Sequence, residues 1–294
     1  MTAHGQTEQI AGGASTPGTW HADGIGRLRA AFAAAKAEGR AAFMPYVTVG
    51  HPDRDTTDTV VPALAAAGAD IIELGVPFSD PLADGVVIQR STQTALTNGI
   101  TLDGCFAAVA RLRANGLTTP LVFLGYINPI ERRGLESFAA ECARVGVDGV
   151  MVADHPAEEA GDLRAACDRH GVALIPFLAP TSTPERIAQV AEIATGFVYC
   201  IGLTGVTGAR DVLATDLGAF LARVRERVTL PLAVGFGISR PEHVAAVGAM
   251  ADGVIVGSAL VRRLDELPAA ERAAGAAAFV RELRGETPPP TPPP

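Results

Sequence analysis

The chain has one lysine, Lys36, although Lys and Arg together number 24. A Schiff-base aldolase, a pyridoxal-phosphate enzyme and a Walker-type phosphate loop each need a lysine in a defined setting. Lys36 lies instead in an Ala-rich amphipathic stretch, the setting of a solvated helix lysine, which argues against all three. Cysteine is also scarce. Cys105, Cys142, Cys167 and Cys200 are far apart, with no C-x-x-C pair and no histidine at ligand spacing, so no metal site is expected. Positive charge is in deficit: 32 acidic residues against 24 basic give a net charge of -8, which supplies no field for nucleic acid or for an anionic membrane. No apolar run approaches the ~18 residues that would span a bilayer, and no signal-peptide core opens the chain, so a cytoplasmic location is expected.

What is present is ample apolar material: 48% of the 294 residues are hydrophobic and 19% charged, enough for a sizeable core. That length suits two domains or one large barrel. Residues 1-22, rich in Gly, Ala, Ser and Thr without periodicity, read as a disordered extension, and 286-294 as a Pro-rich disordered tail. The span 23-285 is expected to form one domain. Within it a short apolar run, a break and an Ala/Arg/Glu-rich helical segment recur. The runs are 43-50, 70-76, 120-126, 148-154, 173-179, 197-203, 232-237 and 253-258. Helical segments lie at 54-67, 103-115, 131-145, 156-170, 184-194, 212-227 and 241-248. Apolar runs without strict alternation, separated by helices, describe parallel strands covered on both faces. Eight such units predict an α/β fold, a single (β/α)8 TIM barrel with an extra N-terminal helix at 24-37 that plugs or flanks its floor. An open doubly wound sheet is the structural alternative.

A barrel places its chemistry at the C-terminal ends of the strands. Two late loops there suit a phosphate: Gly235-Phe236-Gly237-Ile238-Ser239 after the seventh run, and Gly257-Ser258-Ala259, which opens a short helix through Arg262. Glycine lets backbone N-H groups approach an anion and a helix N-terminus adds partial positive charge, though either glycine also suits a plain tight turn. Gly202 to Gly208 reads as a mobile lid after the sixth run. Glu73 sits among apolar neighbours near the end of the second run, where period 2 aims it into the barrel mouth. Burial there raises a carboxyl pKa toward the range of proton transfer, unless an arginine pairs with it as a structural ion pair. In the long loop that follows, Asp84 could orient a polar group or make an Asx turn. Tyr199 could assist Glu73 across the barrel or pack as core.

The segment Glu73-Leu-Gly-Val-Pro-Phe-Ser-Asp-Pro-Leu-Ala-Asp-Gly85 resembles the signature of the tryptophan synthase alpha subunit family. Residues 43-50, 146-149, 152-154 and 205-208 and the two phosphate loops extend the similarity over about 24-284. The resemblance implies retro-aldol cleavage of indole-3-glycerol phosphate to indole and glyceraldehyde 3-phosphate, without metal or Schiff base, which agrees with the shortage of lysine. It implies Glu73 as general acid/base, Asp84 on the indole N-H and Tyr199 as an assisting phenol. Phosphate would meet Gly208, Phe236, Gly237, Gly257 and Ser258, with Ser239 shaping the loop. Tyr46, Leu124, Tyr126 and Ala153 would wall the indole, and Thr207 of the lid would polarise Asp84. The implied partner is a beta subunit that holds the pyridoxal phosphate, in an α2β2 complex. This chain would carry no cofactor of its own. Pro77, Asp80, Pro81, Asn128 and Pro156 would face the partner. Two positions depart from the pattern: His51 replaces a common Asp and Leu203 an occasional Arg. A stand-alone indole-releasing lyase, a non-catalytic activator of the beta subunit and a sugar-phosphate isomerase are the alternatives.

Overall fold

A computed structural model describes residues 23-202, 210-235 and 237-286. Its strands are β1 (Ala42–Thr48), β2 (Ile72–Gly75), β3 (Leu121–Gly125), β4 (Gly149–Val152), β5 (Ala173–Leu174), β6 (Phe177–Leu178), β7 (Val198–Ile201), β8 (Leu232–Gly235) and β9 (Gly253–Val256). Every ladder is parallel, in the order β5-β4-β3-β2-β1-β9-β8-β7-β6. The eight expected staves become nine strands because Pro176, which has no N-H to donate, interrupts the fifth. Across the break the Ile175 N-H donates to Val150 of β4, and the Pro176 carbonyl accepts from Tyr199 of β7. The segment 173-178 thus bridges β4 and β7 and closes the ring as one stave.

The helices are α1 (Gly24–Ala37), α2 (Thr56–Ala66), α3 (Val86–Thr97), α4 (Leu102–Ala114), α5 (Ile127–Arg133), α6 (Leu135–Val145), α7 (Gly161–Arg169), α8 (Pro184–Ile193), α9 (Arg210–Arg225), α10 (Pro241–Gly248), α11 (Ser258–Glu266) and α12 (Arg272–Leu283). The expected helix 131-145 is two helices, because Gly134 adopts φ 91°, a conformation that only glycine takes cheaply. The helix expected from 156 begins at Gly161, and the short one expected to end at Arg262 continues to Glu266. α3 was not anticipated. Its sequence VVIQRSTQTALT is rich in β-branched and hydroxyl residues, which are weak helix formers. The extensions 1-22 and 287-294 lie outside the described residues.

Two layers of core follow from strand alternation. Outward residues such as Phe43, Val47, Ile72, Leu74 and Phe123 pack under the helices. Inward residues Met44, Ile71, Val122, Met151, Ile175, Ala233 and Ile255 fill the barrel. α1, capped by Asp23 through the Gly26 N-H, plugs the floor with Leu28, Phe32 and Ala35. Phe32 meets Phe197 with ring centroids 5.4 Å apart. Beside the plug, the fully buried Asp148 carboxylate is held by Arg27, by Arg113 Nη2 at 2.7 Å and by the Leu121 N-H at 2.7 Å. The floor is therefore closed by packing and by ion pairs, and the other end is left for chemistry.

Candidate active site

Alternation along β2 decides where Glu73 points. Ile71 is inside the barrel and Ile72 and Leu74 are outside, so Glu73 shares the inner face with Ile71. Its carboxyl is 1% exposed, and Oε1 has no hydrogen-bond partner among the described residues. The alternative of a structural ion pair finds no support in this geometry. Burial without a compensating cation pushes its pKa from 4.5 to about 8, so the group is mainly protonated at neutral pH.

Asp84 lies in the loop between β2 and α3. Its backbone N-H donates to the Pro81 carbonyl at 3.1 Å, and its own carbonyl accepts from Gln89 Nε2 at 2.9 Å. Partial burial raises its pKa from 3.8 to about 6, and a hydrogen bond from the Tyr126 hydroxyl opposes the rise. That same hydroxyl accepts from the Ala83 N-H at 3.1 Å, and the Tyr126 ring stacks on Phe78 at 5.3 Å. Tyr126, expected as an indole wall, is thus also the clamp that holds the Asp84 loop over the mouth.

Two more phenols converge there. Tyr46 of β1 pairs in register with Glu73. Tyr199 of β7 pairs with Phe177 and Ala233, and its ring lies 5.0 Å from that of Phe177. Burial raises the pKa of both, with further upward contributions from Glu73 and Asp84, so both stay neutral donors or acceptors. Glycines make room for them. A Cβ on Gly75 would stand 2.0 Å from Tyr46 Oη, and one on Gly235 would stand 2.1 Å from Tyr199 Oη. Sequence reading passed over both glycines as space for a phenol. Their signal was a glycine closing each strand, IELG and LAVG.

Leu124 faces inward from β3, packed against the interior cluster. Ala153 follows β4, its N-H on the Gly125 carbonyl at 2.9 Å, at the edge of a surface cleft shared with His155, Pro176 and Phe177. Of the residues expected to meet the phosphate, Gly237 is exposed with φ 65°, and Gly257 and Ser258 open α11 directly after β9, where the first helical N-H groups lack intrahelical partners. Thr207, Gly208, Leu203 and Phe236 lie outside the described residues. Of the expected partner-facing residues, Asp80 and Asn128 are exposed and Pro81 and Pro156 half-buried, but Pro77 is buried within the chain. The loop and the start of α3 expose two apolar side chains in addition, Leu82 at 91% and Val86 at 80%.

His51, the departure from the expected Asp, is buried at 3% exposure, with Nε2 2.9 Å from Asp265 of α11. Desolvation lowers its pKa, so it stays neutral at pH 7. Asp265 also pairs with Arg90 of α3. These contacts bring the turn after β1, α3 and α11 together.

Comparisons with known proteins agree with this geometry. The tryptophan synthase alpha chain family profile matches residues 32–286. The curated tryptophan synthase alpha chain of Chloroflexus aurantiacus is 54% identical over 259 residues, covering 88% of this chain and 97% of that one. Among solved structures, tryptophan synthase subunit alpha from Legionella pneumophila superposes with a TM-score of 0.81 at 34% identity, over 88% of this chain and 97% of that chain. The tryptophan synthase α2β2 complex of the hyperthermophile Pyrococcus furiosus gives a TM-score of 0.78 at 39% identity, over 83% and 98%. With a barrel of this topology, a buried and a partly buried carboxyl group at its mouth and a family match across nearly all its described residues, the chain belongs to the tryptophan synthase alpha chain family.

Proposed function

We propose that the chain cleaves indole-3-glycerol phosphate to indole and glyceraldehyde 3-phosphate, with Glu73 and Asp84 in separate roles. The observation that carries this reading is the split between the two carboxyl groups: Glu73 pushed up to about 8 and Asp84 to about 6. Between those values one is an acid and the other an anion, the pairing that acid-base chemistry at neutral pH requires.

The steps balance on these groups alone. Protonated Glu73 delivers its proton to C3 of the indole. The ring nitrogen becomes iminium-like, and the Asp84 carboxylate accepts its N-H and stabilises the positive charge. Glu73, now a carboxylate, removes the proton of the glycerol hydroxyl next to the ring. The C-O bond becomes a carbonyl, the C3 side-chain bond breaks, and its electron pair returns to the indolenine to restore the aromatic ring. Glu73 ends protonated, ready for another cycle. Tyr199 supplies a neutral phenol beside Glu73, and Tyr46, Leu124, Tyr126 and Ala153 enclose the ring. The N-terminus of α11 at Gly257 and Ser258, with Gly237, receives the phosphate. Gly208 and Phe236 complete that site and Thr207 acts on Asp84 in the same reading.

Indole is the substrate of a beta subunit, which carries the pyridoxal phosphate, so this chain works as the α half of an α2β2 complex in the cytoplasm. Exposed Leu82 and Val86 beside Asp80 and Pro81 favour the partnered enzyme over a stand-alone lyase, because a free surface seldom leaves two such side chains bare on one functional loop. The test is indole release from indole-3-glycerol phosphate by the purified chain, alone and with a tryptophan synthase beta subunit. Slow release that rises with the partner supports the coupled subunit. Fast release indifferent to the partner refutes the coupling, and no release in either case refutes the catalytic assignment.

A further inference from the structure

Three buried hydroxyls outside the catalytic pair form one chain. Ser91 Oγ of α3 donates to the Ile88 carbonyl at 2.8 Å, a group that can only accept. Thr48 Oγ1 lies 2.7 Å from Ser91 Oγ, and Tyr46 Oη lies 3.0 Å from Thr48 Oγ1. Each hydroxyl has one proton, and the order that also satisfies the Ile88 carbonyl runs from that end: Ser91 donates to Ile88, Thr48 to Ser91 and Tyr46 to Thr48. The phenol proton is thus turned away from the mouth. Unpartnered Glu73 Oε1 agrees with that direction. What Tyr46 shows to the mouth is oxygen lone pairs.

The place of that acceptor is also defined. At its base Tyr46 adjoins Gly257, since a Cβ there would meet Tyr46 Cβ at 3.7 Å, and at its tip Oη lies over Gly75. It therefore spans from the phosphate-side helix to the carboxyl groups, the same stretch that a three-carbon chain between phosphate and indole must cross. Of the two hydroxyls on that chain, the one next to the ring gives its proton to Glu73. The second is the donor still without a partner.

We infer that Thr48 and Ser91 are positioning residues that lock Tyr46 Oη as a hydrogen-bond acceptor for the second glycerol hydroxyl, making Tyr46 a specificity determinant for the hydroxylated side chain. The inference rests on the substrate assigned above. Failure of the wild-type chain to cleave that substrate would refute the assignment, whereas the variants below are read against an active wild type.

The experiment is a double-mutant cycle on kcat/KM with Thr48→Val, Tyr46→Phe and the pair, accompanied by equilibrium binding of a hydroxyl-free indolylpropyl phosphate. Each single variant is expected to lose about tenfold in kcat/KM, the scale of one neutral hydrogen bond. The double variant is expected to lose no more than Tyr46→Phe, and Thr48→Ser to restore wild-type values. Affinity for the hydroxyl-free ligand should stay within about twofold throughout, which a general loosening of the barrel would not allow. Additive losses, an equal loss of affinity for the hydroxyl-free ligand, or full activity of Thr48→Val would each overturn the inference. Should Thr48→Val not fold, Tyr46→Phe alone decides with the substrate lacking the second hydroxyl. The variant should be impaired on the full substrate and equal to wild type on the deoxy one, and equal impairment on both sinks the idea.

Discussion

Replacing Glu73 by Gln should make the protein more stable and nearly inactive, and the pH dependence of the gain can be worked out. The carboxyl titrates near 4.5 in the unfolded chain and near 8 when buried against apolar neighbours. Between those values the folded state binds more protons than the unfolded one, so this group's effect on stability is least harmful below about pH 4.5 and worsens as pH rises to about 8. At 1.36 kcal/mol per pKa unit the cost is about 1 kcal/mol at pH 5, about 3 at pH 7 and nearly 5 above pH 9, as upper figures. Gln cannot ionise, so its own burial cost is constant with pH and cancels in the comparison. Denaturant titrations of both proteins at pH 5 and pH 7 should show the stability gap, Gln minus Glu, widening by roughly 2–3 kcal/mol. Indole release by the variant should fall by roughly 10²-fold to 10⁴-fold or more, since one group supplies both proton transfers. Parallel stability curves would refute the buried neutral acid, and activity within about tenfold of wild type would refute its catalytic role.

Other outcomes follow from the same geometry. The pH profile of kcat/KM should be bell-shaped, rising as Asp84 ionises near 6 and falling as Glu73 loses its proton near 8; a flat profile between pH 5 and 9 counts against the pair. Tyr126→Phe removes the hydrogen bond that holds the Asp84 pKa down, so the acidic limb should move to higher pH while the basic limb stays put. Arg113→Met leaves the buried Asp148 with Arg27 and the Leu121 N-H as partners and should cost about 1–3 kcal/mol in denaturant melts. Its remaining folded molecules should keep wild-type kcat, because the floor lies at the opposite end from the mouth.

Much of the architecture was legible because parallel strands covered on both faces announce themselves as apolar runs, and all eight runs became barrel staves. Glu73 was legible for a related reason: a carboxylate in such a run is costly unless used, and period 2 aimed it inward. The misses have their own physics. α3 hid behind β-branched and hydroxyl residues; its helix is held by packing, while Ser91, Thr94 and Thr97 turn their hydroxyls onto carbonyls one turn back. Pro77, which the resemblance placed toward the partner, is buried in the single chain, while Leu82 and Val86 further along the loop and at the start of α3 stand outside.

The sequence by itself determined the strand-helix repeat, the inward face of Glu73 and the family signature around it, since these depend on residue type and spacing within a few positions. Only the tertiary structure decided which side chains from different staves meet. The clamp that Tyr126 sets on the Asp84 loop, the space that Gly75 and Gly235 leave for two phenols, and the Tyr46-Thr48-Ser91 chain of hydroxyls all arise when the ring closes. Closure brings residues tens of positions apart to about 3 Å, where a hydroxyl proton or a missing Cβ sets the chemistry, and no local pattern encodes that distance.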